Sequence, residues 1–259
     1  MSLLKIQNLS VSYDGEEDVL KQVSFSMEEG ERISIVGESG SGKSTLLQAV
    51  IGLLPAYAEI TGGSICFREQ IVWGQGPAMP AFVRGKDIGM IFQNAGEFAD
   101  PIQKIGSQYQ EMLRVHGIRS KSERAELQME MLQKLRLYDT KRVLNAYPFE
   151  LSGGMMQRVA IAMAMSLRLA LLLADEPTSA LDVTTQAQVA EQLIELNREY
   201  GTGLLLVTHN MGVADYVSDK IGVMYHGELV EFGEKDQIIH APKHAYTKRL
   251  LEAAETWEM

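Results

Sequence analysis

A glycine-rich segment has the residue types and the spacing of a phosphate-binding loop. It follows an apolar strand pattern, precedes an apolar helix pattern that begins at Thr45, and runs Gly37-Glu38-Ser39-Gly40-Ser41-Gly42-Lys43-Ser44. Glycines let the backbone turn its N–H groups toward phosphate oxygens, and a helix N-terminus adds a favourable dipole. Lys43 would reach the β- and γ-phosphates, and the Ser44 hydroxyl would ligate Mg²⁺. We therefore predict that residues 37–45 bind a nucleotide.

Two adjacent carboxylates, Asp175 and Glu176, follow a second apolar segment at residues 171–174. Enzymes with a phosphate-binding loop commonly hold Mg²⁺ with an acid at the end of a hydrophobic strand, which is the position of Asp175. Glu176 would then lie beside the γ-phosphate as the general base or water-positioning group. An Asp-Glu pair alone is more often a solvated helix cap. The loop at residues 37–44 favours the catalytic interpretation.

A third segment precedes the helix that leads to Asp175, and it reads Leu151-Ser152-Gly153-Gly154-Met155-Met156-Gln157-Arg158. Together with the glycine loop, it resembles the signature sequence of the ATP-binding cassette (ABC) ATPases, and the resemblance covers nearly the whole chain. The resemblance implies an ATPase whose cofactors are ATP and Mg²⁺. It also implies that Lys43, Glu176 and His209 are the catalytic residues.

Four further positions match the motifs of that family in order along the chain. Tyr13 is similar to the aromatic residue that stacks on adenine, and Gln93 to the glutamine that touches Mg²⁺ and the attacking water. His209 resembles the switch histidine, and the D-loop corresponds to Ser179-Ala180-Leu181-Asp182. Alone, a tyrosine near a strand end is more often a packing residue, and a histidine after a strand more often a cap.

The resemblance also implies that two such chains work as a pair. Ser152 and the backbone N–H groups of Gly153 and Gly154 lie at a predicted helix start, which favours an anion. The family architecture places them on a lobe away from their own loop. They would therefore bind the γ-phosphate held by the opposite subunit, and Asp182 would line the interface between the two sites.

Alternating apolar segments indicate the elements that position these residues. Helices are predicted at 45–53, 155–167 and 184–200, where Val189, Leu193 and Leu196 form one apolar stripe. The segment 103–138 has a helical pattern with buried faces, and 73–85 reads as a loop rich in glycine and proline. Strands are predicted at 3–9, 23–27, 32–36, 64–67, 88–92, 169–174 and 204–208. The residues expected to be buried in the helical segment are Met112, Val115, Leu127, Met131 and Leu135.

Strands that alternate with helices predict a mostly parallel sheet covered on both faces. We predict an α/β fold with a P-loop NTPase (RecA-like) core, an N-terminal antiparallel β part and an inserted α-helical lobe. The single ABC ATPase domain would span residues 1–259. Its core with the β part would comprise 1–93 and 160–240, the helical lobe with the signature 94–159, and a C-terminal helical tail 241–259.

Composition excludes several other classes of protein. The 259 residues carry a formal net charge of −10, which disfavours binding to nucleic acid. The single cysteine, Cys66, cannot form an internal disulfide, so a reducing cytoplasm is the expected compartment. Its apolar runs are far shorter than the roughly 20 residues that span a bilayer. Any function at a membrane therefore needs a membrane-embedded partner.

The segment Ala241 to Leu251 resembles the His-x-Tyr-Thr-x-x-Leu-Leu stretch of importers for peptides and nickel. That resemblance implies an ATPase at the cytoplasmic face of the cell membrane that energises uptake of di- and oligopeptides or nickel and metal chelates. Two permease subunits and a second ABC ATPase subunit would be its partners, with a heterodimer expected over a homodimer. A solute-binding protein would act indirectly.

Two other functions fit the same motifs. A soluble ABC ATPase could power assembly of a non-transport complex such as an iron–sulfur scaffold, and a regulatory module could sense nucleotide without turnover. Glu176 argues against the regulatory module. The segment Glu97 to Asp100 departs from the importer pattern, and Phe98 there either packs under its own lobe or lines a groove for a permease helix.

Overall fold

The computed structural model describes residues 2–73, 84–179 and 181–255, without the side chains of 97, 98, 254 and 255. Parts of four expectations lie outside the described residues. These are most of the predicted loop at 73–85, Ala180 of the D-loop, the end of the 241–259 tail, and the side-chain role of Phe98.

Ten strands form two sheets within the described residues. In chain order the strands are β1 Ser2–Tyr13, β2 Leu20–Glu28, β3 Arg32–Val36, β4 Ala58–Phe67, β5 Gln70–Trp73, β6 Ile88–Ile91, β7 Leu171–Asp175, β8 Gly203–Thr208, β9 Lys220–Tyr225 and β10 Glu228–Glu234. The larger sheet has the order β10-β9-β3-β8-β7-β6 and the smaller one β2-β1-β4-β5.

The larger sheet is parallel except for its β10 edge. Its inner strands read as continuous apolar runs, and every residue of β8 is buried. Strands of this kind are buried on both faces, which requires helices above and below the sheet. The smaller sheet is antiparallel throughout. The predicted fold class, an α/β fold with a mostly parallel sheet and an N-terminal β part, is confirmed.

The helices that lie between β6 and β7 in the chain form a separate group, the helical group, and other helices cover the larger sheet. In chain order the helices are α1 Lys43–Ile51, α2 Ile105–Val115, α3 Lys121–Lys134, α4 Thr140–Asn145, α5 Gly153–Met165, α6 Val183–Tyr200, α7 Met211–Val217, α8 Lys235–His240 and α9 Ala245–Glu255, with short 3-10 helices at Ala95–Phe98 and Pro148–Glu150. Helix α5 runs through residue 159, so the boundary predicted between the helical lobe and the core falls inside one helix.

Within the described residues, two large apolar cores and a smaller third one, between β9 and helices α7 to α9, hold these layers together. One large core lies between the antiparallel sheet, α1 and the near face of the larger sheet, and includes Leu3, Phe25 and Leu46. The other large core joins the helical group to the opposite face of the larger sheet through Leu132 and Ile161. The stripe predicted on α6, at residues 189, 193 and 196, is buried in this second core.

The predicted helical stretch at 103–138 differs from the structure in two ways. It is divided into α2 and α3, because Gly117 adopts a φ of +98° that ends the first helix. Val115, expected to be buried, is 68% exposed at the last turn of α2. The spacing that predicted its burial holds only if one helix continues past residue 116. Met131 and Leu135 are buried as expected.

One carboxylate joins the starts of two neighbouring parallel strands. Asp219, just before β9, accepts hydrogen bonds from Arg32 N at 2.9 Å, Arg32 Nε at 3.2 Å and Arg32 Nη2 at 2.6 Å. Partial burial of Asp219 opposes its ionisation, but the hydrogen bonds and charge of Arg32 outweigh this and lower the pKa of the carboxyl. The ion pair therefore stabilises the register of β3 against β9.

Replacing Asp219 with Asn should lower the free energy of unfolding by about 1 kcal/mol near pH 7. This is less than a fully buried charged hydrogen bond would contribute, because solvent screens the partly exposed carboxylate. A lowered native pKa stabilises the fold above the unfolded pKa of about 3.9, and this stabilisation is lost as the pH falls through the native pKa. Urea unfolding should therefore show the full difference near pH 5 and a shrinking one below about pH 4. Asp215→Asn, at a looser surface pair with Lys235, is the control. A pH-independent loss would contradict this account.

Candidate active site

The glycine loop connects β3 to α1 and is enclosed on its outer side. Gly42 has a φ of +99°, and a Cβ there would lie 2.8 Å from Leu20 Cδ2. A Cβ at Gly37 would lie 2.2 Å from the backbone oxygen of Met224 on β9. Neither position accepts a larger residue, because the chain behind the loop occupies the space. The glycines therefore allow the loop to fold tightly around a ligand.

Lys43 is folded into this loop. It is 5% exposed, and its Nζ donates hydrogen bonds to the backbone oxygens of Gly37 and Glu38, each at 2.8 Å. Desolvation lowers the pKa of the Lys43 ammonium, while the charges of Glu176, Asp175 and Glu38 oppose that shift. Among the described residues, the direct partners of the ammonium are these two backbone carbonyls. Phosphate oxygens can replace them with stronger, charge-assisted bonds.

Within the described residues, the loop also contains a buried hydroxyl without a hydrogen-bond partner, that of Ser41. Buried hydroxyls are normally satisfied, so this one indicates a missing ligand or water. The loop therefore fits a nucleotide phosphate by both its charge and its unsatisfied donor.

The two predicted carboxylates lie at the end of β7, next to the loop helix. Asp175 Oδ1 accepts a hydrogen bond from Ser44 Oγ at 3.1 Å. Burial raises the pKa of Asp175, which the hydrogen bond from Ser44 partly counteracts. A hydroxyl and a carboxylate at this distance are hard oxygen ligands of the kind that Mg²⁺ prefers, so the residues fit the ion.

Glu176 is the centre of a polar cluster. Its Oε2 lies 3.0 Å from His209 Nδ1 and 3.4 Å from Gln93 Nε2, which also donates to Ser179 Oγ at 3.3 Å. The φ of Glu176 is +44°, and its N–H donates to the oxygen of Val207 at 2.9 Å. A left-handed conformation at a non-glycine residue is strained and is often found at functional sites.

The topology of the sheet explains why these side chains meet. Gln93 follows β6, Glu176 follows β7 and His209 follows β8, and the three strands are neighbours that run in the same direction. Their carboxyl ends therefore lie at one edge, and the glycine loop follows β3 at the same edge. Ligands of open α/β sheets bind outside the carboxyl ends of the strands.

The signature segment begins α5, and the D-loop segment begins α6. Ser152 caps α5 by accepting from Met155 N at 3.3 Å, and Asp182 caps α6 by accepting from Thr185 N at 3.0 Å. A Cβ on Gly154 would lie 3.1 Å from Thr185 Cγ2, so the two helix starts are packed together. Hydrogen bonds from Thr185 lower the pKa of Asp182.

The structure groups most of the predicted site residues into two clusters. The first contains Lys43, Ser44, Gln93, Asp175, Glu176 and His209. The second contains Ser152, Gly153, Gly154 and Asp182 at the two helix starts. The lining of a surface cavity of about 390 Å³ includes one residue of each cluster, Gln93 and Gly153. Tyr13 lies beside the first cluster, where its hydroxyl is 3.0 Å from Thr45 Oγ1.

The sequence interpretation missed the hairpin that supports the glycine loop. Strands β9 and β10 are joined at His226-Gly227, and Gly227 N donates to the oxygen of Ser41 at 3.2 Å. Two apolar runs separated by a short turn containing glycine are a recognised hairpin signal, so the pattern at residues 220–234 was sufficient to predict it.

The ends of the parallel strands bring together a phosphate-binding loop, a carboxylate suited to Mg²⁺ (Asp175) and a glutamate beside them (Glu176). This combination defines a P-loop nucleoside triphosphatase. Residues 20–179 match the family described as ABC transporter. The chain belongs to this family and is an ATP-binding ATPase, as the signature segment predicted. None of the helices in the described residues is long and apolar enough to cross a membrane.

Curated relatives extend the match along the chain. It is 42% identical over 236 residues to the oligopeptide transport ATP-binding protein OppD of Lactococcus lactis subsp. cremoris, covering 91% of this chain and 70% of that one. It is also 42% identical over 264 residues to the glutathione import ATP-binding protein GsiA of Escherichia coli O6:H1, covering 97% of this chain. This chain spans only 42% of the length of GsiA.

Solved structures agree with the fold. A dimeric, post-hydrolysis state of the ATP-binding cassette MJ0796 bound to ADP and Pi matches with a TM-score of 0.78 at 32% identity, covering 90% of this chain and 99% of that one. CbiO1 from Clostridium perfringens matches with a TM-score of 0.80 at 22% identity, covering 100% of this chain and 99% of that one. The second likeness supports the fold alone.

Replacing Lys43 with Ala should weaken ATP binding by roughly tenfold or more, because it removes a charge-assisted contact worth about 1.5–3 kcal/mol. Calorimetric titration with ATP would measure the change. Lys141→Ala, at an exposed position of α4, is the matched control and should bind like the wild type. Unchanged affinity in a folded Lys43→Ala protein would exclude Lys43 from phosphate binding.

Proposed function

We propose that the chain is the ATP-hydrolysing subunit of an ABC importer that energises uptake of di- and oligopeptides. The observation that carries the catalytic part is the clustering of Lys43, Ser44, Asp175 and Glu176 at one edge of the sheet. The direction and the cargo rest on relatives named for oligopeptide transport and glutathione import, together with the His-x-Tyr-Thr run at 244–247. Nickel and metal chelates are the alternative cargo.

In this proposal Glu176 accepts a proton from the water that attacks the γ-phosphate. The contacts from His209 and Gln93 orient its carboxylate, and Lys43 leaves the two loop carbonyls to bind the phosphates. Ser44, Asp175 and Gln93 would hold Mg²⁺, which when bound neutralises charge on the phosphate oxygens. Tyr13 would pack on the adenine, because its ring stands at the end of β1 beside Thr45 of α1.

Two ATPase subunits would assemble around the nucleotide. Ser152 already caps its own helix, and the N–H groups of Gly153 and Gly154 stand at the start of α5 with a favourable dipole for anions. We propose that they bind the γ-phosphate held by a second subunit and that Asp182 lines the interface. A heterodimer with a different ABC ATPase is the arrangement favoured by the importer-type C-terminal run.

An apolar groove supports docking on permease subunits at the cytoplasmic face of the membrane. The groove lies between β6 and the helical group, has a volume of about 340 Å³, and is lined mainly by apolar side chains. Four of these are methionines, which adapt their shape to an inserted partner. One amphipathic helix of a permease would fit such a groove. Two ATPase subunits would therefore dock on two permeases. A solute-binding protein would act on the outer side. The lining includes Ile91, Met112, Met156, Met163 and Leu167.

Replacing Glu176 with Gln should lower ATP turnover by about 10²–10⁴-fold while ATP still binds, since the shape is kept and the base is lost. ATP-bound dimers should then accumulate, which light scattering after gel filtration would detect. Glu195→Gln, at an exposed position on α6, serves as the control. Turnover near that of the wild type would assign the base elsewhere, with His209 the next candidate.

A charge in the apolar groove should separate permease docking from catalysis. Met163→Glu places a carboxylate on the groove wall, where an apolar helix cannot solvate it. Basal turnover of the isolated subunit should stay within about twofold, while co-purification of two polytopic proteins from membranes falls at least tenfold. Met129→Glu, an exposed methionine on α3, is the matched control. Equal loss in both variants would contradict docking in the groove.

The cargo and the non-transport alternative need an uptake measurement. Cells that carry Glu176→Gln should fail to take up labelled peptides, whereas uptake of Ni²⁺ chelates should be unchanged. The reverse result would assign metal chelates as the cargo. Recovery of a soluble assembly complex without any polytopic partner would instead favour the ATPase of an iron–sulfur scaffold.

A further inference from the structure

A buried tyrosine from the end of the chain reaches the glycine loop. Tyr246 is the second residue of α9 and is 3% exposed. Its ring stacks on that of Tyr225 at the end of β9, with centroids 4.2 Å apart and planes at 28°. The guanidinium of Arg249 lies 5.8 Å from the Tyr246 ring. These contacts fix the ring beside the loop.

The hydroxyl of Tyr246 makes a direct bond to the loop. It accepts a hydrogen bond from the backbone N–H of Glu38 at 3.0 Å. The carbonyl of the same peptide unit belongs to Gly37, and it accepts from Lys43 Nζ at 2.8 Å. The Gly37–Glu38 peptide is therefore held on one side by the lysine and on the other by the tyrosine.

The segment that carries Tyr246 is itself fastened to the hairpin behind the loop. The carboxylate of Glu231 on β10 accepts from the backbone N–H groups of Lys243 at 2.8 Å and His244 at 3.1 Å. His244 Nδ1 then accepts from Tyr246 N at 3.2 Å. Three backbone N–H groups between residues 243 and 246 are thus bonded, and these contacts position the tyrosine beside the loop.

We propose that Tyr246 is a positioning residue for the nucleotide-binding loop. This inference rests on the proposed binding of ATP phosphates by Lys43. In the structure, Lys43 and Tyr246 both bond to the Gly37–Glu38 peptide. When Lys43 turns to the phosphates it releases the carbonyl of Gly37, and the bond from Glu38 N to Tyr246 remains to hold the peptide.

The bond from Glu38 N to the Tyr246 hydroxyl therefore contributes more to the loop conformation when nucleotide is bound than when it is absent. Without nucleotide, loss of the tyrosine hydroxyl leaves the lysine contacts to shape the loop. With nucleotide, the same loss lets the peptide leave its binding conformation, and the apparent affinity falls in proportion to the fraction that stays competent. Tyr246 makes no contact to the reacting atoms in this scheme, so the chemical step at saturating ATP is unaffected.

The test compares Tyr246→Phe with the wild-type full chain. Tyr246→Phe should raise the Kd for Mg-ADP and Mg-ATP about threefold to tenfold, and raise KM for ATP by a similar factor. The kcat should stay within about twofold, which a general loss of folding would not produce. Tyr109→Phe is the matched control, because it removes a buried tyrosine hydroxyl that donates to Ala162 O at 2.9 Å, far from the loop in the helical group.

Hydrogen exchange gives a second readout in the same proteins. The amide of Glu38 should exchange faster in Tyr246→Phe than in the wild type when Mg-ADP is bound, and should be unchanged in Tyr109→Phe. Unchanged nucleotide affinity and unchanged Glu38 exchange in Tyr246→Phe would overturn the inference, as would an equal affinity loss in Tyr109→Phe. Normal nucleotide binding by Lys43→Ala would contradict the proposed phosphate site. Normal binding by Tyr246→Phe together with weakened binding by Lys43→Ala would contradict the role of Tyr246 alone.

Discussion

The buried ammonium of Lys43 inside the glycine loop is the interaction around which the catalytic edge is organised. A charge that is 5% exposed needs close partners, and in the structure these are two loop carbonyls at 2.8 Å, with the carboxylates of Asp175 and Glu176 nearby. Neutral carbonyls satisfy its hydrogen bonds but do not balance its charge. A phosphate would do both, so the loop is folded in advance around the space that an anion would fill. The glycines, the hairpin at β9–β10 and Tyr246 all maintain that shape.

The order of the strands in the sheet positions the rest of the site without long loops. Because β8, β7 and β6 are adjacent and parallel, the residues after each strand meet without long connections. Glu176 lies in the middle, between Gln93 on one side and His209 on the other. Its strained backbone, with a φ of +44°, turns the carboxylate toward both neighbours. The arrangement depends on strand order, which explains why residues 83 and 33 positions away in the chain contact the same carboxylate oxygen.

The sequence was most informative where one local pattern carries both structure and chemistry. The glycine loop and the apolar strand before Asp175 were predicted with their functions, because each motif includes the element that positions it. Val115 shows the opposite case: its spacing indicated burial, but the turn at Gly117 ended the helix and left it exposed. Tyr246 was visible only as part of a family-like run. Its bond to Glu38 joins residues 208 positions apart, and no local pattern reports such a contact.

The same strand that serves catalysis also borders the apolar groove. Ile91 ends β6 and lines the groove, and Gln93, two residues later, lies 3.4 Å from Glu176. One residue separates Ile91 from Gln93, so the groove wall and the catalytic cluster are adjacent along the chain. On the proposed function, a change in charge at the γ-phosphate would move Gln93 and with it the wall on which a permease helix rests. Helix α5 joins the same two regions, since it carries the signature at its start and Met163 of the groove nearly three turns later.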